Sequence, residues 1–369
     1  MRTVGVEEEL LLVDAGSGAP VSVAGAVLRH HASGPGTHED QRPGGSLDAE
    51  LKQEQVETDT HPQTDLAAVG ADLRAWRRHA DASARESGAR VAALATSPVP
   101  ATPQTTSTQR YLRMAEHFGL TQREQLVSGC HVHVSIDSPE EGVAVLDRIR
   151  VWLPVLTALS ANSPYWQGAD SGYESFRSQA WARWPMAGPI DVQESVQRYR
   201  ALIEGMLATG VVLDEGMIYF DARLAREYPT IEVRVADVCL HVDDTVLIAG
   251  LTRALVETAA AEWRAGRPPV ATSTSLLRLA RWRAGRSGLT DVLLHPLEDT
   301  PRAAGEVVAA LFEHVRPALA AAGDEGRVRT LLAQVGQRGT GSQRQRRAFE
   351  QTGRLSEVAL DAADATCGD

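Results

Sequence analysis

Lysine is almost absent from this chain. Of its 37 basic residues one, Lys52, is a lysine and thirty-six are arginines. A phosphate loop of the Gly-x-x-x-x-Gly-Lys-Ser/Thr type needs a lysine at one fixed place, and no such string occurs. The glycine-rich loop and lysine of protein kinases are missing too, as is the Gly-x-Ser-x-Gly elbow of serine hydrolases. Any phosphate handled here falls to arginines and metal ions. Cysteine is scarce and scattered, with Cys130, Cys239 and Cys367 and no Cys-x-x-Cys, which excludes a disulfide framework or zinc knuckle and fits a reducing cytosol. Positive charge is in deficit, 37 basic against 48 acidic residues for a net charge of −11. That balance argues against a nucleic-acid or anionic-membrane surface. No run of about 18 apolar residues exists to cross a bilayer, the N-terminus lacks a basic-then-apolar signal, and no repeat of fixed period is present.

What is there is a chain of 369 residues, 43% apolar, enough for a substantial core. The pattern predicts a strand over Thr3–Val13, a loop or irregular hairpin over Gly16–Gly45, and a second strand over Glu50–Thr60. Leu66, Val69, Leu73 and Trp76 recur at helical spacing within Asp65–Ser87. Val91–Ala95 reads as a short strand, Ser97–Pro103 as a loop, Gln109–Phe118 as a helix and Leu126–Asp137 as a strand. Ser138-Pro139-Glu140-Glu141 is a helix start, and the helix is expected to reach Ser160 with a kink at Pro154. Asn162–Pro189 shows neither period, and so long an irregular stretch is usually functional. A helix over Asp191–Leu207, strands over Ile218–Asp221 and Thr230–Ala236, and a helix over Asp243–Arg264 follow. The alanine- and arginine-rich last third reads as helix, with a turn at Arg338–Ser342. The class is α+β, in one continuous domain over residues 1–369.

Three of these strands carry charge in an apolar setting. Side chains alternate along a strand, so Glu7 and Glu9 share a face, as do His131 and His133, and Glu232 and Arg234. Valine, isoleucine or leucine flanks each pair. Carboxylates held about 7 Å apart on one face repel, and a divalent cation is the usual remedy. Taken singly, each pair also reads as a solvated edge, a structural histidine pair or an in-sheet ion pair. Gln53, Gln55 and Glu57 share one side of the second strand, with Glu50 and Glu54 on the other, so Glu50 joins Glu57 only across a bulge. Oxygen donors with one imidazole suit Mg²⁺ or Mn²⁺, whereas several imidazoles favour zinc. The excess of glutamates favours magnesium. Cys130 reads as a small buried residue rather than a nucleophile. Arg177 and Arg183 are candidates for binding a carboxylate or phosphate, and Gly339–Ser342 with Arg344 and Arg346 for presenting amides and guanidinium groups to phosphate.

The segments Gly5-Val6-Glu7-Glu8-Glu9, His131-Val132-His133-Val134 and Ala161-Asn162-Ser163-Pro164-Tyr165-Trp166-Gln167-Gly168 together resemble the bacterial glutamate–cysteine ligase type 2 family, the YbdK-type carboxylate–amine ligases. So do Asp170–Arg177, Pro229–Asp237 and Gly339–Arg346, in the right order along nearly the whole chain. The resemblance implies a glutamine-synthetase-like fold, a curved antiparallel β-sheet flanked by helices. It implies ATP-dependent joining of a carboxylate, typically the γ-carboxylate of glutamate, to an amine such as that of cysteine, through an acyl phosphate. With the residue chemistry it nominates Glu7, Glu9, Glu57, His133 and Glu232 for Mg²⁺ (or Mn²⁺), Arg234 and Arg177 for phosphate or substrate carboxylate, and Arg344, Arg346 and Gly341 for ATP. It further implies a cytoplasmic homodimer. Arg223-Leu224-Ala225 stands where relatives commonly have Arg-Pro-Ser, and Gly285 and Ser287 replace a usual alanine and tyrosine, which bears on acceptor specificity. The rival reading is a metal-dependent amide hydrolase built on His131 and His133.

Overall fold

A computed structural model describes residues 1–33 and 44–368. Its central strand, β1 (Val4–Asp14), is the predicted first strand shifted by one residue toward the C-terminus. Leu47–Ala49 (β2), Gln55–Asp59 (β3), Ala89–Ala92 (β4) and Gly129–Ser135 (β5) follow. A hairpin of Tyr165–Trp166 (β6) and Ala169–Asp170 (β7) precedes Ala222–Leu224 (β8) and Thr230–Asp237 (β9). Val292–Leu294 (β10) and Pro301–Ala303 (β11) make a second small hairpin. The main sheet is antiparallel, in the order β2-β3-β1-β5-β9-β8. One edge of β1 holds β3 along Glu7–Leu11; the other holds β5 along Val4–Glu8 and then β4 along Leu11–Asp14.

One face of this sheet is oil. Val4, Val6, Val132, Val134, Ile231 and Val233 are buried and belong to one core cluster with residues of two long helices, Leu66–Arg85 and Val242–Arg264. Burying such side chains contributes about 1.5–3 kcal/mol apiece. The helix Leu66–Arg85 is opened by Asp65, whose carboxylate accepts from Ala67 N at 2.8 Å, and it turns Leu66, Val69 and Leu73 inward as its spacing predicts. Alternation therefore sends Glu7, Glu9, His131, His133 and Glu232 to the opposite face.

Several expectations change. Residues 16–33 are not all loop, because Ala24–Ser33 is a helix that buries Ala24 and Val27; residues 34–43 of that stretch lie outside the described residues. The second strand is shorter than Glu50–Thr60. Lys52 leaves it to bridge Thr105, a turn occupies 53–54, and pairing starts only at Gln55. The helix expected to run from Ser138 to Ser160 is two helices, Pro139–Ile149 and Leu153–Leu159. Pro154 sits in the first turn of the second, where a missing N–H costs nothing, so it starts a helix rather than kinking one. Ile218–Asp221 is not a strand; Glu215–Met217 is a 3₁₀ turn, Phe220 makes a single parallel bridge to Gly188, and the ladder with β9 begins at Ala222. The irregular stretch after Asn162 is pinned by Asp237, a fully buried residue at the end of β9. Its carboxylate accepts from Asn162 N (2.9 Å), Ser163 Oγ (2.7 Å) and Ser175 Oγ (2.8 Å).

Candidate active site

Register brings the three charged strand faces together. Glu9 lies opposite Glu57, Glu7 opposite His131, His133 opposite Glu232, and Glu232 opposite Arg223. An irregularity in the β5–β9 pairing between Cys130 and Val132 lets Arg234 reach His131, with Nη1 3.4 Å from Nδ1. Together these side chains form the floor of a cavity of about 880 Å³. Tyr111 and Met114 of the helix Gln109–Phe118 line it, with Trp181, Trp184 and Tyr219.

Within the floor, His131 is central. Its Nδ1 is 3.2 Å from Glu7 Oε2 and its Nε2 is 3.8 Å from Glu9 Oε1, and Nε2 has no hydrogen-bond partner although it is buried. His133 places Nδ1 3.0 Å from Thr230 Oγ1 and Nε2 2.9 Å from Glu7 Oε1, the latter out of hydrogen-bond alignment. Ligand atoms of Glu7, His131 and Glu232 lie within 4.8 Å of one another, and so do those of Glu9, Glu57 and His131. These two donor groups overlap at His131. The sequence nominated His133 for the metal; the geometry puts His131 in both groups and leaves His133 out of both.

The electrostatics follow from crowding. Burial, reinforced by Glu7, Glu50 and Glu9, pushes the Glu57 carboxyl well above its usual range. Burial and Glu9 push Glu50 up to about 8, and burial and Glu7 push Asp59 up to about 6. Glu7 and Glu232 go the other way. Burial would raise Glu7, but His133 and His131 outweigh it and hold it well below the carboxylate range. For Glu232, burial is outweighed by Arg234 and Arg223, which hold it at about 2. So acids and cations balance at the Glu232 end, while the Glu57–Glu50 end is short of positive charge. An orphaned imidazole nitrogen among carboxylates is what a divalent cation would satisfy, and the oxygen-rich donor set fits Mg²⁺ or Mn²⁺ better than zinc.

Glu50 was recognised as needing a bulge to reach Glu57. The turn before Gln55 does that work, and Glu50 lines the cavity. Arg223 is the larger omission from the nominated set. It donates to Glu232 through Nε (2.6 Å) and Nη2 (3.1 Å), and it lines the cavity. The signal was its pairing opposite Glu232, which depends on where β8 starts.

Other nominated residues are not at the cavity surface. Arg177 is buried one layer beneath it, with its guanidinium over Trp181 and two long contacts, 3.5 and 3.4 Å, to the Arg234 carbonyl. Gly129 makes room for it, since a Cβ there would come within 2.2 Å of Arg177 Nη2. Arg183 pairs with Glu124 at 2.7 Å on the exterior. Arg344 binds Asp361 at 2.9 and 3.0 Å, and Arg346 binds Asp170 at 2.6 Å and the Tyr173 carbonyl at 2.9 Å. Gly341 is packed so closely on Asn162 that a Cβ would meet Oδ1 at 2.2 Å. These three tie the helix Gly341–Thr352 to the rest of the fold and do not line the cavity. Gly285, a departure from the relatives' pattern, has a local reason: a Cβ would sit 2.3 Å from Ser178 Oγ and 3.1 Å from the Ser175 carbonyl.

Known proteins resemble this chain in sequence and in fold. The profile of glutamate–cysteine ligase family 2 (GCS2) matches residues 3–361. A protein of Paenarthrobacter aurescens (strain TC1) named "Putative glutamate--cysteine ligase 2-1" is 53% identical over 366 residues, covering 99% of this chain and 95% of its own. One of the same name from Streptomyces avermitilis is 53% identical over 368 residues and covers both chains fully. Among solved structures, the bifunctional glutathione synthetase of Pasteurella multocida superposes with a TM-score of 0.72 at 17% identity; it covers all of this chain, which spans only 52% of that protein. The glutamate–cysteine ligase of Francisella tularensis in complex with AMP gives 0.63 at 15% identity, covering 100% of this chain and 89% of that one. The architecture is thus the glutamine-synthetase-like one expected, and nothing supports the hydrolase alternative. By a profile match over almost its whole length and by relatives at half identity, the chain belongs to the glutamate–cysteine ligase family 2.

Proposed function

We propose that this chain is an ATP-dependent carboxylate–amine ligase that activates the γ-carboxylate of glutamate and joins it to an amine such as that of cysteine. The observation that carries the reading is the pair of overlapping acid–histidine donor groups on the floor of one large cavity, Glu7–His131–Glu232 and Glu9–Glu57–His131, in a chain without a phosphate-loop lysine. Those residues would hold Mg²⁺, or Mn²⁺ in its place, which when bound supplies positive charge against the ATP phosphates and the carboxylate.

The protein's own residues account for the rest by position and charge. A substrate carboxylate oxygen attacks the γ-phosphorus, ADP leaves, and the amine then displaces phosphate from the acyl phosphate. Arg234 supplies a fixed cation at the floor. It sits beside the adjoining rings of Trp181 and Tyr219, 6.0 Å from each centroid, so its guanidinium is oriented before substrate arrives. Arg177, buried beneath, is a positioning residue for Arg234 and Trp181 rather than a substrate contact. Tyr111, Trp181 and Tyr219 line one wall of the same cavity and give it an aromatic side. The proposal takes the whole chain as one catalytic unit and includes a cytosolic homodimer, both carried over with family membership alone.

Glu232→Ala tests it. The variant should lose amine-dependent ADP release across an amino-acid panel while keeping the wild-type far-UV spectrum, and unchanged turnover would reject the site.

A further inference from the structure

Both oxygens of Glu232 are occupied by guanidinium groups. Arg223 bridges Oε2 and Oε1 through Nε (2.6 Å) and Nη2 (3.1 Å), and Arg234 contacts Oε1 through Nη1. The same carboxylate is one of the three donors of the Glu7–His131–Glu232 group. A cation that enters there must share the oxygen it takes with an arginine or displace that arginine.

The two arginines are not equally able to let go. Arg234 lies two residues along the same strand, is 9% exposed, and sits beside the Trp181 and Tyr219 rings. Arg223 sits on the edge strand β8, and its side chain is more open, at 16% exposure. Its anchorage is also divided. Nη1 donates to the carbonyls of Gly216 (3.2 Å) and Ile218 (3.0 Å), whereas only the Nε–Nη2 edge faces Glu232. Released from Glu232, the guanidinium would stay in the cavity by its Nη1 tether, with a two-donor edge turned toward the reacting centre. That planar edge is the one that fits two oxygens of a phosphate.

We propose that Arg223 is a displaceable clasp. It closes Glu232 while the donor group is empty, yields an oxygen when a divalent cation binds, and then presents Nε and Nη2 to the transferred phosphoryl group. This rests on the reading of the cavity floor as a metal–ATP site. It adds a coupling which that reading does not contain, in which metal entry creates the phosphate-binding edge.

The coupling gives opposite signs for two ligands of one variant. In Arg223→Gln, Mn²⁺ titrated into nucleotide-free full-length protein and followed by electron paramagnetic resonance should bind roughly tenfold more tightly, since a charge-assisted bidentate competitor is gone. The non-hydrolysable β,γ-imido analogue of ATP, titrated at saturating Mn²⁺, should bind roughly tenfold more weakly. Arg223→Lys separates the clasp from simple charge, because an ammonium keeps the cation but cannot bridge both oxygens. It should also tighten Mn²⁺ binding, whereas a role through net charge alone predicts wild-type affinity in this variant. Unchanged or weakened Mn²⁺ affinity in both variants, or undiminished affinity for the analogue, overturns the clasp. Failure of the wild type itself to bind Mn²⁺ is a different result, one that removes the metal-site reading on which the clasp stands.

Discussion

The middle glutamate of Glu7-Glu8-Glu9 should behave unlike its neighbours. Glu8 points to the oily face of β1, where it is completely buried and held by Arg77, itself completely buried. Arg77 donates to Glu8 through Nε (2.7 Å) and Nη2 (2.6 Å) and caps the carbonyls of Leu240 (2.8 Å) and Cys239 (2.7 Å); Thr245 Oγ1 adds a hydrogen bond to Glu8 at 2.7 Å. Arg77→Met removes the cation and leaves a carboxylate in oil with one hydroxyl as partner. Breaking one side of a buried pair costs about 3–5 kcal/mol, and two orphaned carbonyls bring the expectation to the upper part of that range. In a chain of this size that corresponds to a fall in melting temperature of roughly 6 °C, at about 1.3 °C per kcal/mol. The double variant Glu8→Leu/Arg77→Met replaces the pair with apolar volume and should recover the cost of the lone carboxylate, ending about 2–3 kcal/mol below wild type because the carbonyls of Leu240 and Cys239 stay unpaired. Urea unfolding followed by tryptophan fluorescence reads both. Mn²⁺ binding by the folded double variant should match wild type, since neither residue faces the cavity. A single variant within 1 kcal/mol of wild type, or a double variant no better than the single, would refute the reasoning.

His131→Ala should weaken Mn²⁺ binding more than tenfold, as expected for a lost ligand, and His133→Ala only slightly, because only His131 belongs to both donor groups; equal effects in the same titration would contradict the assignment. Glu57 and Glu50 (about 8) hold protons in the metal-free protein that a cation among these carboxylates must expel. Calorimetry at pH 7 in buffers of different ionisation enthalpy should therefore show net proton release that shrinks above about pH 8, and buffer-independent heats would exclude it. The sign for stability is set by the same groups together with Asp59 (about 6). Folded-state values above the ordinary 4.5 and 3.8 mean that the folded form retains protons the unfolded chain loses, so metal-free stability should fall as pH rises from about 4 to about 8. A melting temperature rising across that window would be the wrong sign. Cys130 and Cys239 are buried, and burial pushes both thiols well above their usual range. Iodoacetamide at pH 7.5 should leave both intact in the native protein, and mass-spectrometric detection of labelled Cys130 would revive it as a nucleophile.

What the sequence made legible was whatever depends on local period. β1, β5 and β9 carry alternation over seven or more residues, and Leu66–Arg85 carries the helical period, so each was found, β1, β9 and the helix to within two residues at either end and β5 with an overrun of three residues before it and two after. What depends on distant partners was not legible. The second strand looked continuous from Glu50 because its residues alternate, but Lys52 is drawn out to Thr105 and the Arg123 carbonyl, contacts 53 and 71 residues away. The same blindness misassigned Arg344 and Arg346, whose carboxylate partners Asp361 and Asp170 lie 17 and 176 residues off. His131 and His133 were equivalent by parity, two residues apart on one face. Register alone separates them, since β1 offers His131 a glutamate, Glu7, where it offers His133 a glycine, Gly5.

β1 also shows how one strand can carry two kinds of buried acid. The face turned to the helices neutralises Glu8 with a guanidinium that cannot leave, fixed by two backbone carbonyls and enclosed in the core. The face turned to the cavity surrounds its acids with partners that can be exchanged, namely imidazoles, a proton on Glu57, and an arginine on an edge strand. Burial alone therefore does not mark an acid as functional, since Glu8 is the more buried of the two kinds. The distinguishing property is whether the compensating charge could be replaced without opening the core. For Glu8 it could not. For Glu7, Glu9, Glu57 and Glu232 it could, and the unpartnered Nε2 of His131 lies where an incoming cation would replace it. A sheet has two faces with period two, so three consecutive glutamates can supply a permanent ion pair and a replaceable one within a single turn of the pleat.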